Sequence, residues 1–376
     1  MENRIYKYFF NEFIHYFIVI LFAFASIIWT IQAVNFLDLV IDDGHAFKIY
    51  LFYSILTIPK VLTKLIPFTF LVAAILTILK MEKDNELILL WTSGLNKMHI
   101  VNLIFRISLL IMLLQHLMAS IINPETLNVS RNLLKNSELQ FVPSLLKEKK
   151  FNDTVDGLTV FVDKKNKNGI YENIFIRDEG RILTKISDVS ATIFAKTGYV
   201  TKDEKSLVLT NGNIQKLERG EEVNVIKFEK TVINLSGLST KTISEPKIQE
   251  TSTLEIIKCM QNKNKHLHNC SRHEKNLRDT KAEINRRFGM PIFIPLIALI
   301  SCFVLRSARS RESKFSNYYH FFIGFIGFSL LIASEISVRY SGVSWNHTAF
   351  YYLIPFILIP MVYLFLIRTF KYENLG

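Results

Sequence analysis

Six apolar segments, each near or above the ~20 residues a helix needs to cross ~30 Å of hydrocarbon, divide this chain. They run from Phe13 to Val34, Ile49 to Leu79, Ile100 to Ile122, Phe288 to Leu305, Tyr318 to Ile336 and Ala349 to Ile367, the fourth being short. A polar stretch, Asn123 to Arg287, separates the third from the fourth. In lipid every backbone polar group must be satisfied internally, so the pattern points to a membrane α-helical class with six transmembrane helices (3+3) and one inserted folded module. The competing reading, core helices of a large soluble protein, fits poorly with a 49% hydrophobic composition concentrated into these blocks. The first run is long and has no small-residue cleavage site behind it, so it is expected to remain as a span.

The net charge of +12 is compatible with nucleic-acid binding, but its distribution argues otherwise. Arg4, Lys7, Lys80, Lys83, Lys97, Arg306, Arg309, Arg311, Lys314, Arg368 and Lys371 fall at the ends and loops of one side, while the short loops of the other hold only Lys48 and Arg339. The positive-inside rule then makes both termini cytoplasmic and the insertion external, periplasmic in a bacterial inner membrane. The basic loop Arg306 to Lys314 reads as a topology determinant that also meets anionic lipid heads.

Cys302 lies in a span and reads as a small packing residue. Cys259, His266, His268, Cys270 and His273 lie on the side assigned as oxidising. Their spacing matches none of the common zinc patterns, which leaves a metal site, a disulfide or, most simply, unlinked side chains.

Within the insertion, Leu158 to Leu235 breaks into short β-type runs: LTVFVD, IYENIFIR, ATIFAK, SLVLT, NIQKLE and VNVIKFEKTVINL. Turn signals at 167 to 169 (Lys-Asn-Gly), 178 to 180 (Asp-Glu-Gly) and 211 to 213 (Asn-Gly-Asn) separate them, as in an antiparallel sandwich or roll. Pro124 to Lys150 before it and Thr253 to Phe288 after it read as helical, the latter a charged connector back to the membrane. No Ser/His/Asp or paired-carboxylate arrangement stands out, and no phosphate loop or dinucleotide fingerprint occurs. Nucleotide-driven transport by such a chain would require a separate ATPase.

The loop at 81 to 99, on the cytoplasmic side, is the best candidate for contact with that ATPase. Glu86, Leu87, Leu90 and Trp91 form a helical series ended by Gly94 as a left-handed cap. The helix either docks in a cleft of a partner or lies with its aromatic face in lipid. Lys60 and Lys64 sit on one face of span two, Lys64 about 22 Å from Leu79 by helical rise. Cations at that depth face a cavity or an anionic ligand, or else snorkel to the surface. Pro59 and Pro67 flank them and are expected to kink the span. Arg286 and Arg287 occupy a comparable depth at the mouth of span four, and Glu335 and Arg339 are placed to pair at the end of span five.

Several motifs occur in a telling order: IWTIQAVNFLDLVIDDG (28 to 44), Pro59-x7-Pro67, NELILLWTSGL (85 to 95), DGLTVFV (156 to 162), TNGN (210 to 213) and EINRR-x3-Pro (283 to 291). Together they resemble the YjgP/YjgQ family, the LptF/LptG permeases of the lipopolysaccharide export transporter, over essentially the whole chain. The resemblance implies a non-hydrolysing permease subunit that extracts lipopolysaccharide from the inner membrane, without cofactor or metal. It further implies pairing with an LptG-like paralogue, drive by an LptB-like ATPase dimer, and a periplasmic β-jellyroll delivering to LptC-like and LptA-like proteins. The implied organisation is helices 1–3 over 1–122 with a coupling helix at 81–95, the β-jellyroll over 123–250, a connector over 251–287 and helices 4–6 over 288–376. Glu86 matches the coupling-helix glutamate and Gly94 the glycine that closes it. Lys60, Lys64, Arg286 and Arg287 are the expected lipopolysaccharide-binding residues. Gln32 to Asp43, where relatives often carry cations for lipid A phosphates, instead holds Asp38, Asp42 and Asp43, and Lys60 and Lys64 are placed to compensate. A receptor that senses an envelope ligand through the β module is the other class considered; it would need a cytoplasmic regulator as partner.

Overall fold

The computed structural model describes residues 2–41, 46–136, 146–155, 157–166, 169–179, 190–201, 206–217, 223–234, 247–261, 274–306 and 314–373. The chain divides into two compact units, one of Met1–Ile31, Thr57–Asn128 and Lys247–Gly376, the other of Gln32–Leu56 and Val129–Pro246.

All six apolar segments are helical and long enough to span a membrane. They comprise α1 (Glu2–Asn35), α2 (Asp38–Ile41), α3 (Phe47–Leu56), α4 (Ile58–Lys83), α6 (Lys97–Leu117), α7 (Asn123–Asn136), α9 (Glu274–Gly289), α10 (Phe293–Ser301), α11 (Lys314–Ser341) and α12 (Trp345–Glu373). Two short helices complete the set, α5 (Glu86–Thr92) between α4 and α6, and α8 (Thr253–Met260) after the sheet. The short fourth apolar run spans because α9 extends it: the continuous helical stretch is Leu277–Leu305. Its α10 part is apolar on all sides and accordingly central, with Ile294, Leu296, Ile297 and Leu299 fully buried against α4, α6, α11 and α12. Of this span's most apolar window 72% is buried, against 11% for the first span, so α10 is the axis of the bundle and α1 its outermost element.

Span two is interrupted at Thr57, where α3 ends and α4 begins with Pro59 in its first turn; Pro67 sits inside an unbroken α4. Proline has no N–H to return to the carbonyl four residues earlier, so the Thr63 carbonyl needs another donor. Gln115 of α6 provides it through Nε2 at 3.3 Å. One turn beyond Gln115, α6 passes into a π-helical turn, Met118–Ile122. Such turns leave backbone groups available to side chains, and here the Ser120 carbonyl accepts from the Thr253 hydroxyl.

The second unit carries a six-stranded antiparallel sheet of β1 (Asn152–Val155), β2 (Leu158–Lys165), β3 (Ile170–Asp178), β4 (Ala191–Val200), β5 (Ser206–Leu217) and β6 (Val223–Asn234). The expected inserted β module is thus present, and its described strands pair in strict chain order, as a meander. Period-two alternation puts Leu158, Val160, Val162, Ile174, Ile176 and Ile193 on the buried face. Phe161, Phe175 and Phe194, register partners on successive strands, share the other, with Phe175 and Phe194 meeting edge-on at 5.2 Å.

Three sequence expectations are corrected here. Asn-Gly-Asn at 211 to 213 does not divide two strands but lies inside β5, so SLVLT and NIQKLE form one strand. Asn211 takes φ 54°, a left-handed conformation that asparagine tolerates. Gly212 follows because a Cβ there would lie 2.1 Å from the Phe194 carbonyl oxygen and 2.5 Å from the Phe228 ring. The second correction is the helix expected over Pro124 to Lys150, which holds to Asn136, whereas Glu148 makes an isolated parallel bridge to Val162. The third is Cys259, which is disulfide-bonded and not unlinked. Cys270 and the histidines at 266, 268 and 273 lie outside the described residues. Cys302 is free and buried, as expected of a packing residue.

Candidate functional site

A cavity of about 450 Å³ opens between α4, α6, α9 and α11. Lys60 and Lys64 reach it from α4, Gln115 and Asn123 from the end of span three, Glu283, Arg286 and Arg287 from α9, and Glu335 from α11. The placement follows from local chain chemistry. Lys60 and Lys64 are one turn apart in the stretch of α4 that Pro59 and Pro67 bracket. The same stretch is fixed to span three by Gln115 on the Thr63 carbonyl and by Asn123, whose Nδ2 donates to the Thr63 hydroxyl at 3.0 Å.

The two arginines differ in kind. Arg287 is 2% exposed, and Nε, Nη1 and Nη2 are all engaged within the protein. Nε donates to Glu283 at 3.1 Å, Nη1 to the Thr253 hydroxyl at 2.9 Å, and Nη2 to the carbonyls of Ile248 and Gln249 at 3.4 and 3.3 Å. Since Thr253 in turn donates to Ser120, one guanidinium joins α9 to the segment Ile248–Thr253 and, through it, to α6. Arg286 instead spans the cavity wall, with Nη2 2.8 Å from Glu335 and Nη1 3.4 Å from Glu283. Glu335 therefore pairs with Arg286 across two helices, where sequence spacing had suggested Arg339.

The polar end of the cavity gives way to apolar walls. Phe68 and Phe328 line it and also line a second, apolar groove of about 620 Å³ along α4 and α11, with Leu71, Ile75, Leu79, Phe321 and Phe325. Cations at one end and hydrocarbon at the other suit an amphiphile with an anionic head.

At the far end of α4 lies the corner made by α5. Asn85 at φ 62° turns the chain, α5 runs for two turns, and Gly94 at φ 86° closes it. The Gly94 N–H donates to the Trp91 carbonyl and the Leu95 N–H to that of Leu90, both at 3.1 Å, a complete Schellman arrangement. Asn96 then caps α6 by accepting from the Met98 N–H. Leu87 is buried, Leu90 and Trp91 pack on the bundle core, and the Lys97 ammonium lies over both Trp91 and Phe370 rings. The exposed apolar residues of α5 are Ile88 and Leu89, at 45% and 67%. Glu86 is half-buried and accepts from the Tyr8 hydroxyl at 2.8 Å.

Over residues 7–369 the chain matches the model of the family described as the lipopolysaccharide export system permease LptF/LptG. The chain belongs to this family. It has six helices long and apolar enough to span a membrane and an inserted antiparallel sheet. A curated relative, the uncharacterized protein RP871 of Rickettsia prowazekii (strain Madrid E), is 28% identical over 243 residues. That match covers 63% of this chain and 64% of the relative's length, so the chain spans less than two thirds of the relative it matches.

Within this permease, all four expected lipid-site cations line one cavity, but only Lys60, Lys64 and Arg286 have geometry suited to a ligand. Arg287 already spends four hydrogen bonds within the protein. The apolar face of α5 also differs from expectation. Leu87, Leu90 and Trp91 anchor the helix inwards, because their spacing matches the bundle side, and Ile88 and Leu89 are the apolar residues left exposed. Gln115, Asn123, Glu283 and Glu335 were missed as cavity residues. The one available signal was the pairing of Pro67 with a glutamine in span three, a freed carbonyl and a donor.

Proposed function

We propose that this chain is the LptF-type half of a lipopolysaccharide extractor in the inner membrane and hydrolyses nothing itself. An LptG-like paralogue completes the cavity, an LptB-like ATPase dimer drives it, and lipopolysaccharide leaves through the sheet towards LptC-like and LptA-like periplasmic proteins. The observation that carries this reading is the cavity, in which Lys60, Lys64 and Arg286 meet an apolar groove through the shared walls Phe68 and Phe328. Anionic head and acyl chains are thereby received by adjoining surfaces. The β6 edge, with Val223, Val225, Ile226 and Val232 exposed, supports strand addition by a periplasmic partner.

Both termini and α5 are cytoplasmic in this reading, and the sheet is periplasmic. Asn168→Cys and Asn213→Cys should therefore react with a membrane-impermeant thiol reagent in spheroplasts while Ser310→Cys stays silent; the reverse labelling would overturn the orientation.

Energy enters at α5. Glu86→Lys, which places a cation beside the exposed Ile88 and Leu89, is expected to lose the ATPase on co-purification and to abolish lipopolysaccharide release. Retained ATPase together with unchanged release would sink α5 as the docking helix.

A further inference from the structure

The chain around α5 is tied to α1 at three points, and nothing in the permease reading uses them. The Tyr8 hydroxyl donates to Glu86 of α5 at 2.8 Å. Tyr6 is hydrogen-bonded to His99 Nδ1, in the first turn of α6, at 3.1 Å. Glu12 pairs with Lys80 in the last turns of α4. The first turns of α1 thus hold the end of α4, the start of α5 and the start of α6 together.

Beyond that corner α1 is lightly held. Phe9, Phe13 and Phe17, at four-residue spacing, are buried on one face, with Phe13 5.2 Å from the Phe70 ring. Ile18, Phe22, Ile27 and Ile31 are exposed, and only 11% of the span's most apolar window is buried. A helix bonded at one end and packed on the core along one side, through Phe13, Phe17, Ile20 and Leu21, moves as one body when its bonded end is displaced. The driving element has backbone joints to match, since left-handed residues, Asn85 and Gly94, flank the seven residues of α5.

We propose that Tyr8 is a positioning residue for energy coupling: through Glu86 it makes α1 follow α5, so that a displacement imposed on α5 is delivered to the outer half of span one. This rests on the reading of α5 as the ATPase-docking helix. Glu86 has two partners in this scheme, the ATPase on its outer side and Tyr8 on its inner side, and the glutamate links them. Tyr6 and Glu12 hold the flanking helix ends so that the displacement enters α1 and is not lost in the loop.

The test uses the reconstituted permease with its ATPase and lipopolysaccharide in proteoliposomes, with lipopolysaccharide released per ATP hydrolysed as the readout. Tyr8→Phe deletes one hydroxyl and keeps the ring. It is expected to lower that ratio about fivefold, the factor equivalent to a hydrogen bond of roughly 1 kcal/mol. The double variant Tyr8→Phe/Glu86→Ala should fall no further than the lower of the single variants, because each change alone already removes the same link. A merely structural tyrosine would shift the melting temperature of the permease and leave the ratio alone. A parental ratio in Tyr8→Phe, in a complex where Glu86→Lys does lose the ATPase, overturns the link while leaving the docking reading in place. Retention of the ATPase together with unchanged release in Glu86→Lys overturns both.

Discussion

Replacing Arg287 with alanine is expected to destabilise the helical unit by about 3–5 kcal/mol, the range for removing one member of a buried, hydrogen-bonded ion pair. The loss is large because several groups are stranded at once. Glu283, 9% exposed, is left without its closest cation, and the carbonyls of Ile248 and Gln249 and the Thr253 hydroxyl lose their common donor. Arg287→Lys should recover only part of the loss, since one ammonium cannot reproduce a planar fork that serves four acceptors on two segments. Thermal unfolding of the purified permease in detergent measures both variants. If Arg287→Ala melts with the parent, the guanidinium is not the joint described, and its place at the cavity would again suit a ligand.

Charge reversal at Lys60 and Lys64 together should reduce photocrosslinking of lipopolysaccharide to the permease complex by more than about tenfold, since each charge-assisted hydrogen bond to a phosphate contributes roughly 1.5–3 kcal/mol. The effect is expected on binding and not on folding. Lys64 is exposed and Lys60 only half-buried, and the cavity walls that set the local structure, Thr63, Gln115 and Asn123, are untouched. Arg309→Glu, on the opposite side of the membrane in the proposed orientation, should crosslink as the parent does. Parental crosslinking by the double reversal would make the two lysines surface anchors and leave the anionic head to Arg286 or to the partner subunit. Arg286 is already shared between Glu335 and Glu283, so an arriving phosphate must compete with carboxylates for it, whereas the lysines line the cavity one turn apart on α4. That difference is why the lysines are expected to dominate.

What was legible in the chain follows from how locally each property is encoded. Hydrophobic length alone decides whether a segment can cross a membrane, and all six segments form helices long enough to do so. Alternation at period two marked the strands from Leu158 onwards, and Gly94 announced the end of α5, because a left-handed cap depends on one residue and its immediate neighbours. The sequence by itself therefore determined the six spans, the inserted sheet and the position of the short helix between spans two and three. Tertiary structure alone decided which face of α5 turns inwards, that Asn211 and Gly212 lie inside a strand where a turn was expected, and that Arg286 and Arg287, adjacent in sequence, have different partners. A side chain's role at a cavity depends on which donors and acceptors the other helices bring to it. Glu335 lies 49 residues from Arg286, and Thr253 lies 34 from Arg287, and no local pattern carries such distances.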